Sequence, residues 1–202
     1  MSAILRSFCA AAALALVSTA ADAQSKGEWH FGLGITGVQP KSDNGDFTVG
    51  MLPFELDIGD GTAISLTAEY FVADNIGIEF LASTPFNHDV NTPGSNIGDF
   101  DLIPPTLSVN YHFQTGTQWK PYVGAGVTYA IITDEFPSGL SIENAWGFGV
   151  QAGIDYKVSD KGALRLNVRY IDLEADFTLG PTTRGTAEVD PLVITAAYVF
   201  QF

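Results

Sequence analysis

Apolar and polar or small side chains alternate with a period of two through most of this chain. In ISLTAEYFV, Ile64, Leu66, Ala68, Tyr70 and Val72 alternate with Ser65, Thr67, Glu69 and Phe71. In IGIEFLAS, Ile78, Phe80 and Ala82 alternate with Gly77, Glu79 and Ser83, with Leu81 as the exception. TLSVNYHFQ sets Leu107, Val109, Tyr111 and Phe113 against Ser108, Asn110, His112 and Gln114. PYVGAGVTYAI, WGFGVQAGIDY and ALRLNVRYI repeat the pattern, the last opposing Leu164, Leu166, Val168 and Tyr170 to Arg165, Asn167 and Arg169. With WHFGLGITGV before them and PLVITAAYVFQF after them, the pattern predicts about eight strands, each near the length of a tilted membrane-crossing strand.

A water-soluble sandwich also alternates, so the connections and the chemistry of the faces must choose. Long connections run over Pro40 to Gly61, Asn87 to Asp101, Ile132 to Glu143 and Phe177 to Val189. Short ones are ADN near Asp74, TGTQW near Gly116 and VSDKG near Asp160. The polar face is rich in glycine and small residues rather than in charge. The expected fold is therefore all-β: an eight-stranded antiparallel transmembrane β-barrel with four long extracellular loops and three short periplasmic turns. Closure leaves no strand edge facing lipid. The long loops carry many Gly, Pro and Asp residues, which argues against their extending the sheet beyond the membrane. Aromatic residues near strand ends predict an interfacial girdle, mostly on the short-turn side: Trp29, Phe31, Tyr70, Phe71, Tyr111, Phe113, Trp119, Tyr122, Tyr156, Tyr198, Phe200 and Phe202.

Composition fits this picture. The 202 residues carry a formal net charge of -14, yet only 16% are charged and mean hydropathy is +0.17. Nucleic acid is excluded as a partner, because no basic stripe exists to neutralise phosphates. Residues 1–23, with Arg6, an apolar run from Phe8 to Val17 and small residues at Ala21 and Ala23, read as a secretory signal peptide cleaved after Ala23. The barrel then occupies 24–202. The single cysteine, Cys9, falls in the segment expected to be lost, so no disulfide or thiol metal site is expected. The abrupt aromatic ending AAYVFQF puts Tyr198, Phe200 and Phe202 on the lipid face of a closing strand. It resembles the C-terminal signal read by barrel assembly machinery.

IGIEFLASTPFNHDV, LIPPTLSVNYHF, KPYVGAGVTY, WGFGVQAGIDY, LNVRYIDLEA and DPLVITAAYVFQF together resemble, in order, the successive blocks of the OmpW family of bacterial outer-membrane proteins. The resemblance implies a narrow eight-stranded barrel in the outer membrane, surrounded by lipid and lipopolysaccharide. It also implies passive uptake of small hydrophobic molecules that leave sideways through the wall.

Strand parity and direction give each inward residue an approximate height. The lower and middle lumen receives Glu69, Glu79, Asn110, His112, Gln151, Asp155, Arg165, Asn167, Arg169 and Gln201. Of these, Glu69, Glu79, His112, Asp155, Arg165 and Arg169 should pair into an interior polar plug. The upper lumen receives Val38, Leu81, Ser83, Thr128, Ile171, Leu173 and Val193, so that Val38, Leu81, Ile171, Leu173 and Val193 form an apolar mouth. The plain alternative is a small barrel filling its interior with whatever fits. Pro85, high on the third strand, and Pro104 and Pro105, high on the fourth, cannot donate to a ladder. They either mark a weak seam that serves as a lateral gate, or merely begin and end strands. The family resemblance, in which a proline kink beside this region accompanies the lateral opening, favours Pro85.

Ser108 and His112 share a face but stand four residues apart along one strand, about 13 Å, too far for serine activation, so no enzyme is expected. No phosphate loop or paired-histidine metal motif occurs, and no metal or cofactor is expected. Acidic residues gather in the long loops at Asp43, Asp46, Asp57, Asp60, Asp89, Asp99, Asp101, Asp134 and Glu135. They read as solvated loops, with divalent bridging to lipopolysaccharide phosphates as an alternative. Two functions stand: a monomeric transport barrel for small hydrophobic solutes, or a structural or surface-interaction barrel, adhesin-like or receptor, with an inert lumen.

Overall fold

The computed structural model describes residues 24–49, 52–92, 95–136, 140–180 and 183–202. The expected signal segment, 1–23, lies outside the described residues. The strands are β1 (Trp29–Gln39), β2 (Asp46–Val49), β3 (Leu52–Glu55), β4 (Asp57–Ile58), β5 (Gly61–Ala73), β6 (Ile76–Ser83), β7 (Phe86–Thr92) and β8 (Ser95–Ile103). They continue as β9 (Thr106–His112), β10 (Trp119–Phe136), β11 (Leu140–Ile142), β12 (Ala145–Ser159), β13 (Gly162–Leu179), β14 (Thr183–Glu188) and β15 (Leu192–Gln201).

Eight of these close a ring of antiparallel pairs: β1 with β5, β5 with β6, β6 with β9, β9 with β10, β10 with β12, β12 with β13, β13 with β15, and β15 back to β1. The closing seam runs from His30 opposite Gln201 to Gln39 opposite Leu192. At the short-turn end the β5–β6 turn is tight, with Asn75 at φ 67°, a conformation that asparagine tolerates better than most residues.

Parity decides which face each side chain takes, and here the outer face is the apolar one. Phe148 is 73% and Val150 60% exposed, whereas Glu69 and Asp155 are 0% exposed. A soluble sandwich would invert this, burying its apolar residues between sheets. Outward aromatic pairs ring the short-turn end: Trp29 with Tyr70 (4.9 Å between ring centroids), Tyr111 with Phe113 (5.1 Å), Trp119 with Tyr156 (4.6 Å) and Tyr198 with Phe200 (4.8 Å). Tyr129 and Trp146, 4.6 Å apart, form a pair toward the other end. Two expected girdle members do not belong there. Phe71 and Tyr122 are 0% and 1% exposed and point into the lumen, as the parity of their own strands requires.

The long connections also differ from expectation. Asn87 to Asp101 lies within the hairpin β7–β8, paired from Phe86 opposite Leu102 to Thr92 opposite Ser95. The upper part of β10 pairs with β8, and the upper part of β13 pairs with β11 and β14. The sheet therefore extends well past the ring at the long-connection end. Asn and Asp are poor strand formers, but an adjacent strand supplies the ladder, and inward Phe86, His88 and Val90 supply a buried face.

Candidate functional site

The lumen is layered along its axis, and each layer follows from inward-facing positions at one height. At the short-turn end lies a floor of rings. His30 and Phe71 stand 4.8 Å apart, Phe71 and His112 5.0 Å, and His112 and Tyr122 4.9 Å. The Arg165 guanidinium sits 4.8 Å from the Tyr122 ring centre, a cation–π contact that joins the floor to the layer above.

That layer is ionic. Arg165 donates through Nε and Nη2 to both carboxylate oxygens of Asp155 (2.7 and 2.9 Å), through Nη1 to Glu79 (2.7 Å) and through Nη2 to Glu69 (3.1 Å). Arg169 donates through Nη2 to Glu79 (3.1 Å) and to Gln151 Oε1 (2.6 Å). Glu69 also accepts from Asn110 Nδ2 and from His112 Nε2, each at 2.8 Å. Gln151 donates to Asn110 Oδ1 at 2.6 Å, and Asn167 donates to the Tyr122 hydroxyl at 2.9 Å. All six residues expected to pair, Glu69, Glu79, His112, Asp155, Arg165 and Arg169, are buried in this one network. Such charges are tolerable out of water only because nearly every lone pair and proton has a partner.

Glycines on the inner face make room for the network. A Cβ at Gly124 would stand 2.1 Å from Asn110 Oδ1, and one at Gly153 2.4 Å from Tyr122 Cζ. The glycine-rich polar face therefore accommodates bulky partners across neighbouring strands.

Above the ions comes a hydroxyl layer. Thr36 donates to Ser65 at 2.7 Å and lies 2.8 Å from Thr195, while Thr106 and Thr128 are 2.8 Å apart. Above that, polarity all but ends. Val38, Leu81, Ile171, Leu173 and Val193 are each at most 6% exposed. Four of them (Leu81 excepted) join a larger apolar cluster with Leu56, Ile58, Phe86, Phe100, Leu102 and Phe177. The cluster surrounds a small cavity in the extended sheet, lined by Ile58, His88, Phe100, Leu102, Leu173 and Phe177 among others, with about 40 Å³ of space open to the centre of a water molecule. Sequence reasoning missed most of this lining, because the residues lie in segments read as loops. The alternation in FNHDV and DFDLI was the signal available.

The three prolines stand at a break in the wall. The β6–β9 ladder ends with Leu81 opposite Thr106, and pairing resumes above with Phe86 opposite Leu102. Between lie residues 82–85 on one side and 103–105 on the other, and Pro85, Pro104 and Pro105 are among them. Each side remains tied to its outer neighbour: Thr84 N–H donates to Ile64 O (2.9 Å), and Tyr129 N–H donates to Pro105 O (3.0 Å). Ser83 Oγ is buried beside the break without a partner. Pro85 is exposed and Pro104 buried.

Among the described residues no three histidines or carboxylates converge as a metal site. Asp46, Asp134 and Glu135 of the acidic loop set have side chains outside the described residues.

Relatives agree with this architecture. The chain is 32% identical to Outer membrane protein W of Vibrio cholerae, over 98% of this chain and 99% of that protein. It is 31% identical to Outer membrane protein AlkL of Ectopseudomonas oleovorans, over 87% and 84% respectively. The crystal structure of the outer-membrane protein OprG from Pseudomonas aeruginosa superimposes with a TM-score of 0.81 at 27% identity, covering 89% of this chain and 98% of that one. These relatives are outer-membrane barrel proteins. With the OmpW family model matching residues 25–202 as well, the chain belongs to the OmpW family and is an eight-stranded barrel of the bacterial outer membrane.

Proposed function

We propose that this barrel is a passive route by which small apolar molecules enter the outer membrane. A solute partitions from outside into the apolar cavity of the extended sheet, is stopped by the hydroxyl and ionic layers beneath it, and leaves sideways between β6–β7 and β8–β9 into the outer leaflet. The observation that carries this reading is the position of the ladder break, which lies at the base of the apolar cluster and above the polar plug. A solute held there meets charge below and, at the side, a wall short of hydrogen bonds. Pro85, Pro104 and Pro105 keep it short, because none can donate to a ladder. Partition down a gradient needs no energy source, cofactor or metal. The same reading takes the protein as a monomer in lipopolysaccharide and phospholipid. It takes Tyr198, Phe200 and Phe202 as the segment recognised by barrel assembly machinery.

Extension of the sheet beyond the membrane favours the second reading, a surface-interaction barrel with an inert lumen. Its inner face weighs against that reading: a projecting scaffold needs no apolar cavity, and here fourteen residues line one. Uptake of an apolar compound such as naphthalene by cells lacking and then regaining the protein separates the two. Restoration of the faster rate supports transport. Equal rates in both strains would leave the interaction barrel.

A further inference from the structure

The apolar cavity is too small for the molecules it is read to pass. Its space of about 40 Å³ has room for about three waters and none for an aromatic solute, so part of the surrounding wall must move. Most of that wall is ladder. Among the described residues, however, β4 pairs only with β7 and β14 only with β13, and the gap between β4 and β14 is crossed by the connection that leads from β1 into β2. Asn44 makes the crossing and is 0% exposed. Its carbonyl accepts from Glu188 N–H at the end of β14 (3.1 Å), and its Nδ2 donates to the Glu188 carbonyl (2.9 Å). Its N–H donates to Leu56 O (3.3 Å), and its Oδ1 accepts from Ile58 N–H (2.9 Å). These main-chain partners have fixed polarity, so they set which way the amide points. Lys41 adds a second tie to the same place, its N–H donating to Val189 O (3.0 Å) and its ammonium pairing with Glu188 and Asp190. Leu56 and Ile58 on one side of this crossing, and Ala187 and Val189 on the other, line the cavity.

Resting on the transport reading above, we propose that residues 41–45 and 55–60 form a lid over the cavity, latched to β14 through Asn44 and Lys41, and that a solute enters when this latch parts. Parting breaks the bonds to Glu188 and Val189 and keeps those from Asn44 to Leu56 and Ile58, so the lid moves as one piece. The stationary side is β14, which is held to β13 over six residue pairs. The lid's other attachment, to β7, is short: Asp57 opposite Asn91 and Ile58 opposite Val90, followed by Gly59 N–H to Asp89 O (2.9 Å) and His88 Nδ1 to Gly59 O (2.8 Å). That attachment is the hinge. An empty open lid exposes Leu56, Ile58, Ala187 and Val189 to water and is driven shut; an apolar solute that replaces the water favours the open state.

The test ties the latch shut. Lys41 and Glu188 do not line the cavity, and Cys9, in the segment expected to be lost, is the only native cysteine. Cells lacking the protein regain it as Lys41→Cys/Glu188→Cys, joined by a short bis-methanethiosulfonate linker that dithiothreitol removes. With the linkage verified by mass, naphthalene uptake is expected to fall to that of cells without the protein and to recover on reduction. Equal uptake by linked and reduced protein overturns the lid and leaves the transport reading intact. Equal blockage by a monofunctional methanethiosulfonate, which cannot bridge the two, traces the effect to bulk and also overturns it. If wild type and reduced variant both take up naphthalene no faster than cells without the protein, the transport reading fails and the lid's role in entry fails with it. Asn44→Ala removes the side-chain half of the latch and is expected to raise uptake about fivefold, the equivalent of one net hydrogen bond. Unchanged uptake by a folded Asn44→Ala barrel overturns the latch at Asn44; if that variant does not fold, the cross-link decides.

Discussion

Arg165 is the residue on which the interior depends most. Among the described residues it is the one cation that touches all three of Glu69, Glu79 and Asp155, and it covers the Tyr122 ring. Arg165→Ala would leave these buried carboxylates short of counter-charge, and a loss of about 3–5 kcal/mol in folding stability is expected. A shift of the urea midpoint followed by tryptophan fluorescence checks it; an unchanged midpoint would show that the network contributes nothing net. Gly153→Ala tests the same interior by volume, since the added methyl meets the Tyr122 ring, and about 1–3 kcal/mol should be lost. His88 titrates in a direction set first by burial, which lowers its pKa. The Gly59 hydrogen bond and the charges of Asp60, Asp101 and Asp89 oppose that shift without reversing it. The unfolded chain therefore takes up this proton near pH 6.5, while the folded chain does so only at lower pH. The contribution of His88 to stability accordingly falls as pH drops below about 6.5. An NMR titration of its Cε1–H resonance should give a midpoint below 6.5, and one at or above that value would contradict the buried, neutral ring.

At the scale of the strand, the decisive elements are the two interrupted ones. β6 and β7 run as one strand broken at Pro85, and β8 and β9 as one broken at Pro104 and Pro105. Pro85→Thr restores an N–H and a β-branched side chain where the ladder lacks a donor. Slower uptake of an apolar compound with undiminished folding is expected of that variant, and uptake at the wild-type rate would remove the seam from the mechanism. The strands of the ring were legible, because alternation over ten residues leaves little choice of register once one face meets lipid. The prolines were legible as interruptions; that they face one another across a single wall position required the pairing. The extension strands β7, β8, β11 and β14 were not legible. The connections they lie in carry Asn, Asp, Gly and Pro and read as loop, and only pairing with neighbouring strands overrides it.

For the molecule as a whole, the layers predict selectivity by polarity. Ring, ion and hydroxyl layers fill the lower lumen, so the wild-type barrel in a planar bilayer should carry no steady ion current. Replacing Arg165 and Arg169 together by alanine should open a measurable conductance, and a silent double variant would place the seal elsewhere than in the ionic layer. An apolar solute cannot cross such a stack without displacing buried charge, and on the proposed transport reading it moves sideways above the stack, where the ladder stops between Leu81–Thr106 and Phe86–Leu102.

The sequence by itself determined the ring: strand number, the outward apolar face, and which acids and arginines share the inner face. These are parity properties, and parity survives any packing that keeps a strand straight and one face in lipid. Tertiary structure decided what depends on neighbours distant in sequence. It stacked Phe71 and Tyr122 with His30 and His112 as a lumen floor in place of the expected girdle; strand parity already turned both inward, but which inward rings meet at one height depends on closure of the ring. It brought Leu56, His88, Phe100 and Phe177 around one cavity, because the strands past the ring are ordered by pairing with one another.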